Sequence, residues 1–405
     1  MKPILRAERM KPVHSDIRGP LFVEAMKRQK QGIDVLKLNT GNPATFGFGL
    51  PDSIKNALME HMQDGVGYCD FKGMPQARQA ICDYETSKGI TGITPDDVFI
   101  GNGVSEVVSF ALTPLLNDGD EVLVPSPSYS LWGNSVYLED GKPVFYTCDE
   151  KANWYPDIQD IRSKITDKTK AIVIINPNNP TGVLYPKEIL LEIIQVAREF
   201  GLLIFADEIY DRLVMDGKQH ISLASLTEDV PVITLNGLSK SHCLCGYRCG
   251  WMVISGPREL TEDYRQGIIQ LTSLRLCANT MAQIVIPAAL DDMDTPTSMV
   301  RPSGRIYEQR EATVRELEKI NGLSFVKNDA AFYVFPKLDV KKFNITNDKQ
   351  FAHDLLDATN ILLVPGSGFD WKDPDHFRIV MLPQADVLSD AIRRMGTFLD
   401  GYKQK

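Results

Sequence analysis

Short apolar runs of strand length alternate with amphipathic segments through the middle of the chain. Six of these runs have the length and composition of buried strands: Val98–Ile100, Glu121–Val124, Ala171–Ile175, Leu202–Ala206, Val232–Leu235 and Trp251–Ile254. Between the third and fourth runs, apolar residues recur at helical spacing over residues 189–200, and Gly201 ends the segment. Strands that alternate with helices in this way predict an α/β fold with a largely parallel sheet covered on both faces.

The pattern changes after Pro302. A long charged helical stretch, Ile306 to Ile320, is followed by short strand-like runs and a final helix near Val387–Leu399; the runs are Phe332–Phe335, Ile361–Val364 and Phe377–Met381. This texture predicts an α+β unit. The first 50 residues lack a βα pattern, and we expect them to pack with this unit or to wrap a partner.

Composition narrows the classes of function. The chain has 405 residues, 43% of them apolar and 24% charged, and a formal net charge of −9, so a broad nucleic-acid-binding surface is not expected. No apolar run has the length of a membrane span, and the start of the chain has no signal-peptide pattern. We therefore expect a cytoplasmic protein. Because its net charge is negative, an anionic ligand has to be bound by local groups and not by the overall charge.

The cysteines and histidines do not indicate a metal site. The three closely spaced cysteines, Cys243, Cys245 and Cys249, lack the paired spacing of structural zinc sites, and the six histidines form no ligand set. We predict reduced thiols and no bound metal.

Polar residues at three strand ends carry the chemistry. Lys240 follows the run Val232–Leu235, Asp207 and Tyr210 follow Leu202–Ala206, and Asn179 follows Ala171–Ile175. Ligands of α/β sheets bind at the carboxyl ends of strands, where a lysine can form an imine with an aldehyde cofactor. Taken singly, the same residues also fit a surface lysine, a helix cap and tight turns. Their combination favours one shared cleft.

The segments Asn176–Gly182, Asp207–Tyr210 and Asn236–Lys240 together resemble the fold-type I pyridoxal-phosphate aminotransferases, and the resemblance covers essentially the whole chain. It implies a large domain with a mostly parallel seven-stranded sheet, residues 50–300, and a smaller α+β domain made of residues 1–49 with 301–405. It also implies these roles: Lys240 as the catalytic, cofactor-bearing lysine, Asp207 at the pyridine nitrogen, Asn179 and Tyr210 at the ring's 3′ oxygen, and Tyr129 stacked on the ring.

A phosphate site is expected where Gly101–Glu106 joins a strand to a helix, since backbone N–H groups at a helix start bind anions. The predicted contacts of the cofactor phosphate are Gly103, Val104, Ser105, Ser239 and Arg248. By resemblance, Tyr68 reaches the phosphate of a neighbouring subunit, which implies a homodimer with active sites at the interface. The chain has Gly237 where many relatives have serine, so the backbone and Arg248 are expected to carry more of the binding.

Substrate recognition is expected from arginines. Arg378 alternates with apolar neighbours on a strand, and by resemblance it binds the α-carboxylate, with Gly41 and Asn179 facing the same substrate. The segment Asp16–Pro20 resembles the Ile/Val-Arg-Gly-Pro segment of alanine aminotransferases. It points to glutamate and pyruvate as the substrate pair, with Arg18 meeting the distal carboxylate of glutamate.

Other functions stay open at this level. The segment Asn328–Tyr333 departs from relatives that carry Pro and Gly there, which leaves the acceptor range open. The alternatives are an aminotransferase for other neutral or aromatic amino acids and a carbon–sulfur β-lyase on the same scaffold. A DNA-binding regulator lacks the expected basic cluster, and a nicotinamide dehydrogenase lacks the glycine fingerprint.

Overall fold

A computed structural model describes residues 3–405. Its strands, β1 to β15 in chain order, are Leu36–Lys37, Val98–Asn102, Glu121–Ser126, Lys142–Asp149, Tyr155–Pro156, Thr169–Ile175, Leu203–Asp207, Val232–Gly237, Cys249–Ser255, Leu323–Ser324, Tyr333–Val334, Lys337–Leu338, Ile361–Leu362, Val364–Pro365 and Phe377–Val380. Its helices, α1 to α16, are Pro20–Lys30, Asp52–His61, Pro75–Ser87, Val104–Leu112, Leu131–Leu138, Ile158–Lys164, Lys187–Phe200, Leu238–Ser241, Arg258–Arg275, Thr280–Ile284, Ile286–Asp291, Asp294–Val300, Arg305–Leu317, Val340–Phe343, Asp348–Thr359 and Ala385–Gly401.

The central sheet has the order β2-β9-β8-β7-β6-β3-β4-β5. Neighbours from β8 to β4 run parallel, whereas β9 is antiparallel to both β2 and β8, and β5 is antiparallel to β4. The predicted α/β class and mostly parallel sheet are confirmed. The sheet has eight strands where seven were expected, because β5 adds a two-residue edge strand that is too short to leave a pattern in the sequence.

Both faces of the sheet are buried, which explains why its strands are nearly continuous apolar runs. Every residue of β3, β8 and β9 is buried, and separate apolar clusters fill the two faces. Helix α7 covers one face through Leu190, Ile193 and Val196 and ends at Gly201, whose φ of 66° is the left-handed conformation that glycine adopts easily.

The C-terminal third forms small sheets on a separate apolar cluster. Strands β11, β15 and β14 make a three-stranded antiparallel sheet, and β10 pairs with β12. The N-terminal strand β1 joins this region by pairing parallel with β13, and Leu38 packs into the same cluster. The region thus combines the β1 segment of the N-terminal part with the C-terminal third of the chain. It also brings Arg378 on β15 next to the residues that follow β1.

Within residues 3–405 no single helix has the length and apolar composition of a membrane span. Helix α9 and the α10–α11 segment satisfy that test only as a pair, and the pair bends by 119° at its break.

Candidate active site

A cavity of about 850 Å³ opens at the carboxyl ends of the parallel strands. It brings together twelve of the site residues predicted from the sequence: Arg18, Gly41, Val104, Ser105, Tyr129, Asn179, Asp207, Tyr210, Ser239, Lys240, Arg248 and Arg378. Two candidates, Gly103 and Tyr68, do not line it. Further residues in the wall were not anticipated as ligands, among them Ser15, Asn134, Cys245 and Tyr333.

Lys240 lies in the short helix α8 directly after β8. Its Nζ donates a hydrogen bond to the backbone oxygen of Gly41 at 2.8 Å and lies 4.0 Å from Cys245 Sγ. Burial lowers the pKa of the Lys240 ammonium, but Tyr333, Cys245 and Tyr129 together outweigh burial and leave the pKa above its ordinary value. At neutral pH the amine is therefore protonated, and it has to lose a proton before it can act as a nucleophile or a base.

Asp207 ends β7 and is 4% exposed. Its Oδ2 accepts a hydrogen bond from Trp132 Nε1 at 3.1 Å, and its Oδ1 accepts one from the Ile209 backbone at 3.3 Å. Both donors are neutral, and burial raises the pKa of Asp207 to about 6. A cationic donor in the cavity would favour the ionised carboxylate.

Arg378 is buried at the cavity floor. Its guanidinium donates to Asn179 Oδ1 at 3.0 Å and to the Asn39 backbone oxygen, and it lies 4.6 Å from the ring centroids of Tyr333 and Phe369. Its Nε has no hydrogen-bond partner, and no carboxylate in the described part of the chain pairs with it. A buried cation without an anion is unfavourable, so Arg378 fits a ligand carboxylate.

Two phenols stand beside this arginine. Tyr210 and Tyr333 share a hydrogen bond of 2.9 Å between their hydroxyls, and both rings are buried. Tyr333 begins β11, and its hydroxyl is the first atom that a Cβ added to Gly41 would meet. A side chain at position 41 would thus collide with Tyr333, which explains why glycine stands there. Tyr333 was missed because one strand aromatic among several gives no distinct signal.

The expected anion site lies at the start of α4. Gly103 caps this helix with a φ of 84°, and its own N–H donates to Gly101 at 2.8 Å, so the free donors are the N–H groups of Val104 and Ser105. A Cβ at Gly103 would collide with the guanidinium of Arg248, which places that cation directly against the turn. Helix donors and a guanidinium together form an anion cradle.

Glycine occupies position 237 because two strands pack closely there. Its backbone is extended, and a Cβ there would lie 2.5 Å from the Cys249 backbone oxygen and 3.1 Å from the Gly250 Cα. Because β8 and β9 approach this closely, a serine does not fit at position 237 without a shift of β9. Any hydroxyl contact to an anion from this segment therefore has to come from Ser239.

The difference from relatives at Asn328–Ala331 concerns the backbone conformation and not close packing. Ala331 has a φ of 58°, in the left-handed region that glycine occupies without strain. Hydrogen bonds from Asp329 and Ala330 N–H to the Gly182 oxygen, at 3.0 and 2.9 Å, hold the turn in place. The loop thus keeps a glycine-like shape with alanine and leads directly to Tyr333.

A buried ionic cluster lies behind the cavity and was not anticipated. Lys88 Nζ is 2.6 Å from Glu85, 2.8 Å from Glu208 and 3.2 Å from Asp211. Asp211 also accepts a 2.7 Å hydrogen bond from Asn236, the residue that precedes the Gly237–Lys240 turn. Glu208, Asp211 and His220 have ligand atoms within 4.8 Å of one another, but the Lys88 ammonium already supplies the positive charge of this cluster.

Comparisons with known proteins agree with this geometry. A family model described as aminotransferase class I and II matches residues 33–394, and the chain belongs to this family. The chain is 49% identical over 404 residues to the glutamate-pyruvate aminotransferase AlaA of Haemophilus influenzae, with all of both chains covered. It is 45% identical to an alanine aminotransferase of Mycobacterium tuberculosis, over 98% of this chain and 93% of that protein.

Solved structures show the same fold. An aminotransferase from Escherichia coli superposes with a TM-score of 0.98 at 46% identity, with both chains fully covered. An alanine aminotransferase from Pyrococcus furiosus superposes with a TM-score of 0.93 at 41% identity, over 98% of this chain and all of that one. The predicted family membership and fold are therefore confirmed.

Proposed function

We propose that this enzyme uses pyridoxal 5′-phosphate to exchange amino groups between glutamate or 2-oxoglutarate and pyruvate or alanine. The carrying observation is that Arg378, a buried cation without a carboxylate partner, faces the same cavity as Lys240. An amine and a carboxylate receptor in one cavity suit an α-amino acid. The AlaA relatives, which match along their whole length, are glutamate-pyruvate aminotransferases by name, and this supports the substrate pair.

The cavity fits the cofactor at both ends. The buried Asp207 carboxylate, which has only neutral donors, would hold a protonated pyridine nitrogen. The N–H groups of Val104 and Ser105, with Arg248, would hold the phosphate. Asn179 and Tyr210 would contact the 3′ oxygen, Tyr129 would stack on the ring, and Ser239 would add a hydroxyl. When bound, this group supplies an aldehyde that takes up the amino group and a ring that withdraws electrons from the α-carbon.

The protein residues then divide the remaining work. Arg378 and Asn179 bind the α-carboxylate and orient the Cα–H bond toward Lys240, with the Gly41 backbone against the substrate. Lys240 Nζ, once it has lost its proton, takes the proton from the α-carbon as general base and returns it as general acid. The Tyr210–Tyr333 pair closes the wall beside Arg378 and limits the access of water.

Arg18 is proposed as the residue that selects dicarboxylic substrates. It lines the same cavity from the N-terminal segment. Arg18→Ala should raise the KM of glutamate and 2-oxoglutarate by roughly 10- to 100-fold, the effect of losing a charge-assisted hydrogen-bond pair, while the KM of alanine changes little. Arg301→Ala, an exposed arginine outside the cavity, is the matched control. An equal loss for alanine and glutamate would exclude this role.

We further propose a homodimer with Tyr68 in the partner's cofactor site. Tyr68 is 84% exposed and lies outside the cavity of its own chain. Exposed apolar side chains accompany it along residues 59–68 and at Leu274 and Leu276, and Thr280 Oγ1 joins the two segments through a 2.6 Å hydrogen bond to Gly65. Such a patch is typical of a protein interface. Tyr68→Phe should keep the dimer in ultracentrifugation but release the cofactor faster on dialysis.

The domain division and location are also proposals. Residues 50–300 would form the large domain, and residues 1–49 with 301–405 a small domain that closes over the substrate, supported by the β1–β13 pairing. A cytoplasmic location is supported by the cysteines, all seven of which lie in the described residues and are free thiols.

Spectral half-reactions test the proposal as a whole. The purified protein should show a visible chromophore that glutamate and alanine bleach and that 2-oxoglutarate and pyruvate restore. Lys240→Ala should abolish it, whereas Lys218→Ala, an exposed lysine, should not. Bleaching by other neutral or aromatic amino acids in preference to these would favour a different substrate pair. Release of pyruvate and ammonia from cysteine conjugates, without need for a keto acid, would favour a carbon–sulfur β-lyase.

A further inference from the structure

The N-terminal segment formed by residues 14–18 passes over the cavity and contributes Ser15, Ile17 and Arg18 to its wall. At one end, its backbone is fixed to helix α5. The Asn134 side chain accepts a hydrogen bond from His14 N at 3.1 Å and donates one to His14 O at 2.6 Å. This end of the segment is therefore tied to the face of the cavity formed by α5.

At its other end, the segment is tied to the substrate arginine. Asn39 Nδ2 donates to the Ile17 oxygen at 2.7 Å, and the Asn39 backbone oxygen accepts from Arg378. A displacement of residues 15–18 would therefore disturb the floor of the cavity as well as its roof. Arg18 has no ion pair of its own among the described residues, so its place depends on how the segment is held.

The side chain of His14 holds this segment through contacts with two carboxylates. Its Nε2 lies 3.0 Å from Asp370 Oδ1 and its Nδ1 lies 3.4 Å from Asp16 Oδ2. Both carboxylates are largely buried, and Asp370 belongs to the C-terminal region, 356 residues away. The Asp370 backbone oxygen in turn accepts from Ser126 Oγ at 2.7 Å, close to Tyr129. His14 thus bridges the N-terminal segment and the C-terminal region, and its neighbours Ser15 and Asn134 line the cavity.

We propose that His14 is a positioning residue that holds Arg18 over the substrate cavity by fastening residues 14–18 to Asp370. The inference rests on the proposed function, because it assigns a support to the Arg18 role. It concerns the binding of dicarboxylic substrates and not the proton transfer at Lys240. A charged bridge between two buried carboxylates holds more firmly than a neutral one.

The charge of the bridge depends on pH. Ion pairs with Asp16 and Asp370 raise the pKa of His14 from 6.5 to about 9. The other charged or titratable groups that face the bridge are Lys349, 3.1 Å from Asp16, and Tyr137 on α5, whose pKa burial and Asp370 raise. Because the pKa is raised in the closed state, the fastening is complete below pH 6.5 and is lost as the pH rises through about 9.

The kinetic test compares His14→Gln with His353→Gln, a half-exposed histidine that pairs with Asp357 away from the cavity. At pH 6.5, His14→Gln should raise the glutamate KM by roughly tenfold, a loss of about 1.4 kcal/mol, with the alanine KM and both kcat values within about twofold. In the wild type, the ratio of the glutamate KM to the alanine KM should be low at pH 6.5, rise as the pH passes through about 9, and approach the flat line of the variant near pH 10. The ratio cancels any titration of the cofactor.

A second test does not depend on activity. Arg18 is exposed, but the Arg18–Gly19 bond lies in a turn directly before α1 that is closed by a 3.3 Å hydrogen bond from Gly19 N–H to the Asp16 oxygen. Trypsin needs a locally unfolded chain, so it should cleave this bond faster when residues 14–18 come loose, and mass spectrometry identifies the fragment that ends at Arg18. His14→Gln and Asp370→Asn should each speed this cleavage roughly tenfold at pH 7, and the double variant no further, since both remove one interaction. Either single variant alone tests the fastening if the other fails to fold.

The two failures are distinguishable. Unchanged cleavage, together with a KM ratio equal to that of His353→Gln, would overturn the fastening whatever the substrates are. Faster cleavage with no transamination of glutamate or alanine would leave the fastening intact and would contradict the proposed substrates.

Discussion

Replacement of Asp207 by asparagine should make the cofactor-free protein more stable, although it removes a residue assigned to the cofactor. The carboxylate is buried and receives hydrogen bonds only from Trp132 and the Ile209 backbone. Burial raises the pKa of Asp207 from 3.8 to about 6, so the folded protein holds an unfavourable negative charge at neutral pH.

The magnitude follows from that pKa. A change from 3.8 to about 6 corresponds to roughly 3 kcal/mol of destabilisation at pH 7.5, since each pH unit is worth about 1.4 kcal/mol. Asparagine retains one acceptor oxygen and loses the other, which costs about 1 kcal/mol. We therefore expect the variant to unfold with about 2 kcal/mol more free energy than the wild type.

The sign depends on pH. A carboxyl whose folded pKa lies above its unfolded pKa binds its proton more tightly in the folded state, so wild-type stability falls between about pH 4 and pH 6 and stays low above that range. The gain from Asp207→Asn should be fully present at pH 7.5 and should disappear near pH 4.5. Urea unfolding of the cofactor-free proteins, at one fixed protein concentration and at pH 7.5 and 4.5, measures the difference in unfolding free energy at each pH.

Glu208→Gln is the matched control. Glu208 is equally buried but pairs with Lys88 at 2.8 Å, so its neutralisation should destabilise the protein at pH 7.5. In the cofactor-loaded enzyme the effect of Asp207→Asn should reverse: this variant should be less stable than the wild type, release cofactor and lose activity. If Asp207→Asn destabilises the cofactor-free protein at pH 7.5 as Glu208→Gln does, the reasoning about a strained carboxylate is refuted.

Further predictions concern the cations around the site. Arg378→Lys should raise the KM of every amino acid by roughly 10- to 100-fold, because a lysine cannot replace the planar fork of the guanidinium; steady-state kinetics with alanine and glutamate measure this, and a selective effect on glutamate would contradict it. Lys88→Met should lower the free energy of unfolding by about 3–5 kcal/mol, since three buried carboxylates lose their cation; urea unfolding tests this, and a neutral result would mean that the cluster relaxes. The pKa of Lys240 lies above its ordinary value, so capture of pyridoxal phosphate by the cofactor-free protein should accelerate about tenfold per pH unit from pH 7 to 9, which stopped-flow absorbance can follow.

The strand ends were predictable because each lies at a sharp change from apolar to polar residues. The ends of β6, β7 and β8 follow three of the predicted runs, and Asn179, Asp207 and Lys240 line one cavity as expected. Strand β4 was missed because its burial alternates and its sequence includes Lys142, Pro143 and Asp149, which weaken a strand signal.

The supports of the site were not predictable, because their partners are far apart in the chain. Lys88 meets Glu208 across 120 residues, and His14 meets Asp370 across 356. No periodicity or spacing relates such residues before the fold is known. Gly237 is similar, since only the approach of β9 to within 2.5 Å of an added Cβ shows why glycine stands there.

The three buried arginines of residues 3–405 show why the cavity suits an anion despite the net charge of −9. Arg265 pairs with Asp97 at 2.5 Å, and Arg310 pairs with Asp216 at 2.6 Å, so both charges are compensated within the protein. Arg378 is just as buried and has only amide and carbonyl oxygens and two aromatic rings around it. Since a desolvated guanidinium is costly without an anion, the fold leaves this one charge to be neutralised by a ligand. The acidic surface does not oppose that binding at short range, because screening confines its effect to about 8 Å in physiological salt.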